Sequence, residues 1–172
     1  MTAPYPRPRL LLPHHIVDTF TCRSVEQTQW LHHHARQAHA TGTAKVLVVT
    51  DTGTDNVIAY YAWAMATITV TDTPARVRKG AGRYPQPVAL LARLGVDTDH
   101  EGQSLGAGLL QDVISRVAEL GTTIGCRGLL VHAETETARD FYLHLIPEFE
   151  QSPTDPLHLV LLMKDIHHTL TT

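Results

Sequence analysis

Residues 101–108 read Glu101-Gly102-Gln103-Ser104-Leu105-Gly106-Ala107-Gly108 and lead straight into a helix pattern. A helix start leaves several backbone N–H groups without an intrahelical partner, and the helix dipole adds partial positive charge there. Small residues let a diphosphate come close to such a backbone. On residue types alone two readings stand: an anion cradle, or a glycine-rich turn that only reverses the chain. No Gly-Lys-Ser/Thr follows, so this is not a nucleoside-triphosphate loop. The glycines at 102, 106 and 108 also miss the G-x-G-x-x-G spacing of a dinucleotide site.

A second group is Ala138-Arg139-Asp140-Phe141-Tyr142. On a helix, Ala138 and Tyr142 lie one turn apart on one face. A phenol with a pKa of about 10 carries its proton at neutral pH and is a competent acid. Equally, Phe141 and Tyr142 read as core aromatics. A third group is basic. Residues 76–96 contain no acid but do contain Arg76, Arg78, Lys79, Arg83 and Arg93, in a chain whose net charge is −3. Such a patch binds phosphate or is simply a solvated loop.

The 12 histidines include His14-His15, His32-His33-His34 and His167-His168. Helical neighbours point about 100° apart, so adjacent histidines cannot close on one ion, and no metal-binding spacing occurs. No metal is expected. Cys22 and Cys126 are distant and form no CxxC, so both are expected to be reduced.

The elements that must position these groups follow from periodicity. Residues 24–42 predict a helix, with Ser24 and Gln27 as a capping box and Gly42 as the stop. Residues 45–50 and 57–70 predict a hairpin across a turn at 51–56. Thr73-Pro74 starts a short helix across Arg76, Arg78 and Lys79. Residues 87–97 predict a strand covered on both faces. A helix over 106–120 follows, with Leu109, Leu110, Val113, Ile114, Val117 and Leu120 in one stripe. Then come a strand at 127–133, a helix at 135–145 ended by Pro147, and a strand at 157–164. This order predicts an α/β fold, a mixed sheet with flanking helices. At 172 residues, 43% hydrophobic and 18% charged, the chain suits one globular domain over 1–172. No run nears the ~20 apolar residues of a membrane helix. The proline-interrupted start has no signal-peptide shape, so a cytoplasmic protein is expected.

Together these segments resemble the GNAT superfamily of N-acetyltransferases, whose coenzyme loop has the pattern R/Q-x-x-G-x-G/A and whose later helix often carries Phe-Tyr. More narrowly, the chain resembles the GNAT toxins of toxin–antitoxin pairs. The matching stretches are Phe20-Thr21-Cys22 with Trp30-Leu31, Ala59-Tyr60-Tyr61, Leu91-Ala92-Arg93-Leu94-Gly95-Val96-Asp97, residues 102–106, Val131-His132-Ala133, Ala138 with Phe141-Tyr142, and Ser152-Pro153-Thr154-Asp155-Pro156-Leu157. Four departures stand out. Glu101 replaces the Arg or Gln that opens the loop, Ser104 a loop glycine, and Ala59 the glycine before Tyr60. Residues 145–149 replace a shorter Phe-Gly-Phe.

The resemblance implies a GNAT fold and acetyl-CoA as co-substrate, with no metal. It implies that Leu94, Gly95 and Val96 meet the coenzyme arm, that residues 101–108 hold the pyrophosphate, and that Phe141 flanks the site. Tyr142 is then the catalytic acid at sulfur. It further implies an aminoacyl-tRNA substrate met by Arg76, Arg78, Lys79, Arg83 and Arg93, a ribbon-helix-helix antitoxin as partner, and a homodimer. Two alternatives are an acetyltransferase of small amines or protein lysines, and a degenerate GNAT that only binds a partner.

Overall fold

In the computed structural model, which describes residues 5–69, 71–79, 82 and 84–171, the first helix begins where its cap directs. The Ser24 hydroxyl accepts the Gln27 N–H at 3.0 Å, a cap whose loss typically costs about 1 kcal/mol. The expected single helix over 24–42 is two: α1 (Val25–His33) and α2 (Ala35–Thr41). They meet at His34, where φ moves to −125°. Gly42 ends α2 in the left-handed conformation, φ 81°, which lacks a Cβ penalty only in glycine.

The remaining elements are β1 (Arg9–Leu10), β2 (Lys45–Thr50), β3 (Val57–Ile68), α3 (Ala75–Arg78), β4 (Gln86–Val96), a 3-10 turn (Thr98–His100), α4 (Leu105–Leu120), β5 (Gly128–His132), α5 (Glu136–Leu145), β6 (Glu150–Gln151), β7 (His158–Leu162) and α6 (Met163–Thr171). The sheet is seven-stranded and mixed, in the order β1-β2-β3-β4-β5-β7-β6. The expected α/β class is therefore found. The short strands β1 and β6 and the helix α6 were not foreseen. Among the described residues, no helix is long and apolar enough to cross a membrane.

The chain forms two compact units, Met1–Ala64 with Ala92–Asp112, and Met65–Leu91 with Val113–Thr172. In the first, β2 and β3 pair as the expected hairpin, with a bulge where Thr50 faces Val57 and Val49 faces Ala59. Its core includes Phe20, Leu31, Val46, Val48 and Tyr60. Tyr60 meets Phe20 edge-on at 5.4 Å and lies parallel to Trp30 at 6.1 Å. Its hydroxyl donates to the Gln27 carbonyl at 2.7 Å, so the ring is buried without an unpaired polar end.

In the second unit, β4 pairs parallel with β5 from Ala89↔Leu129 to Leu91↔Val131. Strand β7 pairs antiparallel with β5 and with β6. Ile68, Val77, Val88, Leu130 and Val160 form its core cluster. The predicted stripe of α4 is buried at Val113, Ile114 and Val117, and in the first unit at Leu109 and Leu110, while Leu120 is only half-buried.

Gly128 sets the spacing of β5 against β7. A Cβ there would stand 2.1 Å from the Leu161 carbonyl oxygen, a backbone atom that cannot swing away. Gly128→Ala is expected to lower stability by about 3 kcal/mol, the upper range for overpacking. Urea unfolding measures this, and an unchanged midpoint would show that the two strands tolerate a side chain.

Candidate active site

The end of β4 is pinned before the glycine-rich loop begins. The bulge in the hairpin frees the Ile58 carbonyl, which accepts the Asp97 N–H at 2.8 Å. The buried Asp97 carboxylate accepts from Thr21 N at 3.1 Å and from Asp99 N at 3.0 Å. It thereby closes the 3-10 turn at Thr98–His100.

Gly102 follows with φ 77° and Ser104 with φ 63°, while Gln103 between them is not in the positive-φ region. Left-handed positions of this kind occur in turns that aim backbone N–H groups at an anion. A residue with a Cβ held left-handed costs about 1–2 kcal/mol, and such strain gathers at functional sites. Ser104 then opens α4, its carbonyl accepting from Gly108 N at 3.0 Å. Residues 101–104 and Gly108 are exposed, Gly106 and Ala107 half-buried, and Leu105 buried.

Two side chains from the N-terminal segment meet this region. Tyr5 donates its hydroxyl proton to the Gln103 amide oxygen. Arg7 pairs at 2.6 Å with Asp112, whose other oxygen accepts from Tyr61 at 2.7 Å. Glu101, the acid standing in the loop's cationic position, is not turned to bulk water alone. Arg23 donates to its Oε2 from Nε at 3.1 Å and from Nη2 at 2.8 Å. Leu94 and Val96 are half-buried on β4, which runs past its last β5 pairing at Leu91. Gly95 lies between them, with the Phe20 and Tyr60 rings 3.2 Å from where a Cβ would be.

Tyr142 is built by α5. Thr135 caps that helix, accepting from Ala138 N at 3.1 Å, and Tyr142 is its one fully buried residue, 6% exposed. Its ring meets Phe141 at 5.3 Å and Phe149 at 6.2 Å, both edge-on. The extended 145–149 segment thus still delivers an aromatic against the tyrosine. Burial pushes the phenol pKa well above its ordinary value, because the phenolate would lose its hydration. Among the described residues nothing hydrogen-bonds the Tyr142 hydroxyl.

The basic stretch is less free than its sequence suggests. Arg76 donates to Asp165 at 2.5 and 3.1 Å and lies 3.5 Å from Glu150. Those acids are remote in sequence, so the absence of acid over 76–96 does not persist in space. Val77 is fully buried, and Arg127 donates to its carbonyl at 2.8 Å. The turn ahead of α3 is clipped by Ser152 and Thr154, which donate to the Asp72 carbonyl at 2.7 Å and carboxylate at 2.5 Å. Arg78 and Lys79 remain exposed on this anchored segment. Arg83 lies outside the described residues. Arg93 belongs to the other unit, paired with Glu26 at 2.8 Å and over Trp30 at 5.4 Å. His132 stacks on His158 at 3.8 Å, and burial, then the His158 charge, lower its pKa. Among the described residues no group of three or more His, Cys, Asp or Glu is placed to hold a metal. Sequence reasoning missed Arg23, whose one signal was a loop acid in need of a cation.

No protein-family model matches the chain. The fold is that of AtaT complexed with acetyl-methionyl-tRNAfMet, at a TM-score of 0.85 and 22% identity over 96% of this chain and 98% of that one. It also matches a tyrosine-to-phenylalanine AtaT mutant toxin bound to the C-terminus of the antitoxin AtaR and acetyl-CoA, at a TM-score of 0.80, 21% identity, and 96% and 97% coverage. This chain shares their fold, the expected mixed sheet with flanking helices. A relative from Mycobacterium tuberculosis named tRNA-acetylating toxin is 40% identical over 161 residues, 94% of each chain. The chain belongs to the family of tRNA-acetylating toxins.

Proposed function

We propose that the chain is one acetyl-CoA-dependent N-acetyltransferase domain that acetylates the α-amino group of aminoacyl-tRNA and thereby stops translation. The observation that carries this reading is the 40% identity to a tRNA-acetylating toxin, running over 94% of both chains. The site supports it chemically. Acetyl-CoA, when bound, supplies an acetyl group as a thioester. The residues present fit it: a small-residue loop with two left-handed positions, leading into a helix start, suits a pyrophosphate. Leu94, Gly95 and Val96 line the coenzyme arm with their backbone, and residues 102–108 hold the phosphates. Phe141 flanks Tyr142, which keeps its proton through burial and donates it to the departing sulfur. No strong base is needed, because an α-amino group titrates near ~8 and is partly neutral at physiological pH.

The acceptor-stem phosphates meet the basic segment. Arg78 and Lys79 make direct contact, and Arg76 holds α3 through Asp165. Such contacts position a nucleic acid without reading its sequence. An antitoxin binds and silences the enzyme; the binding has its parallel in the AtaT mutant toxin bound to the C-terminus of the antitoxin AtaR. We assign it to the ribbon-helix-helix type, and the toxin to a cytoplasmic homodimer, the compartment in which charged tRNA is made and used.

A filter assay with radiolabelled acetyl-CoA and mixed charged tRNAs tests the reading. Label retained on tRNA is expected, and label only in small amines or protein would overturn it. Replacing Arg78 and Lys79 together by Glu is expected to raise KM for charged tRNA about 10-fold and flatten its salt dependence, since each lost phosphate contact removes released counterions. KM for acetyl-CoA should not change. Unaltered tRNA affinity and slope would reduce the segment to a solvated loop.

A further inference from the structure

The loop pattern of the resembling acetyltransferases opens with an Arg or Gln, a side chain that donates hydrogen bonds. Here Glu101 stands at that position and can only accept them when ionised. Left alone, it would repel the pyrophosphate, since like charges at close range raise the energy of binding. The fold supplies a remedy from a distant part of the chain. Arg23, immediately before the cap of α1, donates to a single oxygen of Glu101 from Nε at 3.1 Å and Nη2 at 2.8 Å. Both contacts use one edge of the guanidinium. A guanidinium has five N–H donors, so three remain, on a side chain 83% exposed against 32% for Glu101.

We infer that Arg23 is a coenzyme-binding residue, the cation of the pyrophosphate site, delivered to the head of the loop by Glu101. Glu101 acts as a positioning residue: it fixes the guanidinium plane at the loop and leaves its free edge for a phosphate. A planar fork of this kind matches phosphate oxygens two at a time. An exposed ion pair contributes little to folding, so its main effect lies in binding. The family's donor is thus replaced by a pair, with the charge displaced one side chain outward. The inference rests on the proposed coenzyme role of residues 102–108.

The test separates donation from mere neutralisation of Glu101. Acetyl-CoA is titrated calorimetrically into the full chain, the Glu101→Gln variant, and the Glu101→Gln variant carrying Arg23→Ala. With the acid already removed, neutralisation has nothing left to do. Loss of a direct charge-assisted contact is then expected to raise Kd 10- to 100-fold relative to Glu101→Gln alone. Arg23→Lys in the same background is expected to recover part of the loss. If Arg23→Ala leaves Kd within about two-fold of Glu101→Gln, the guanidinium does not touch the coenzyme and the inference is overturned. Gly106→Asp serves as the reference. If it binds acetyl-CoA like wild type, the loop assignment itself has failed. If it loses binding while the Arg23 series stays flat, only the role of Arg23 has failed. Arg23 is too exposed for its replacement to threaten folding, and thermal melts of each variant verify this.

Discussion

Tyr142→Phe is expected to lower the acetylation rate 10²–10⁴-fold, the usual contribution of a positioned acid, while leaving acetyl-CoA affinity within about two-fold. The phenyl ring keeps its edge contacts with Phe141 and Phe149, so the pocket wall survives. What disappears is only the hydroxyl of a residue that is 6% exposed. The variant is therefore expected to melt close to wild type while its rate falls. Loss of rate without loss of stability marks a group kept for chemistry instead of folding. The pH profile adds a second readout. Because burial raises the phenol pKa above its ordinary value, Tyr142 stays protonated across the neutral range and well into alkali. The rate should rise with pH as the α-amine loses its proton near ~8, with no alkaline fall due to Tyr142 below pH ~10. Near wild-type turnover by the phenylalanine variant would end the assignment of Tyr142 as the acid.

What the sequence made legible was local. The Ser24 cap, the Gly42 stop, the β2–β3 hairpin and the α4 stripe each follow from residues a few positions apart, and each is found. The break at His34 was missed, because hydrogen bonding runs through it: His34 N still reaches Trp30 O at 2.9 Å and Ala38 N reaches His34 O at 3.0 Å. Strands β1 and β6 hold two residues each, too few for an alternation to register. Helix α6 was hidden by its histidines and threonines. Only Ile166 is fully buried on it, so its apolar face is thin.

The site was legible in outline for the same reason. Loop 101–108 and the Phe141-Tyr142 pair are contiguous motifs, and their types alone suggest an anion cradle and an acid. Their electrostatic completion is not contiguous. Arg23 reaches Glu101, Arg76 reaches Asp165 and Arg93 reaches Glu26 across long stretches of chain. A charge count over a window cannot see partners that only folding brings together. That is why residues 76–96 read as an unopposed basic patch, whereas Arg76 and Arg93 are each paired with a distant acid.

Gly106→Asp carries the other large effect, and here folding and binding should move in opposite directions. Gly106 sits in the first turn of α4. An acid in that turn complements the helix dipole by about 0.3–1 kcal/mol, and aspartate is a somewhat better helix residue than glycine. The fold should therefore tolerate the change or gain from it. Coenzyme binding should not. Glu101 already places one carboxylate at the head of this loop, and it is matched by Arg23. A second carboxylate at 106 would have no such match, while the exposed N–H groups it competes for are those a pyrophosphate needs. At ~4 Å and an effective dielectric of 20, the repulsion is about 4 kcal/mol, enough to weaken binding roughly 10³-fold. Calorimetry with acetyl-CoA is expected to give no measurable heat, alongside a melting temperature at or above wild type. Gly106→Ala is the control, since the family pattern admits alanine there, and it should bind normally. An aspartate variant that melts normally and binds acetyl-CoA with wild-type affinity would show that this helix start is only a turn.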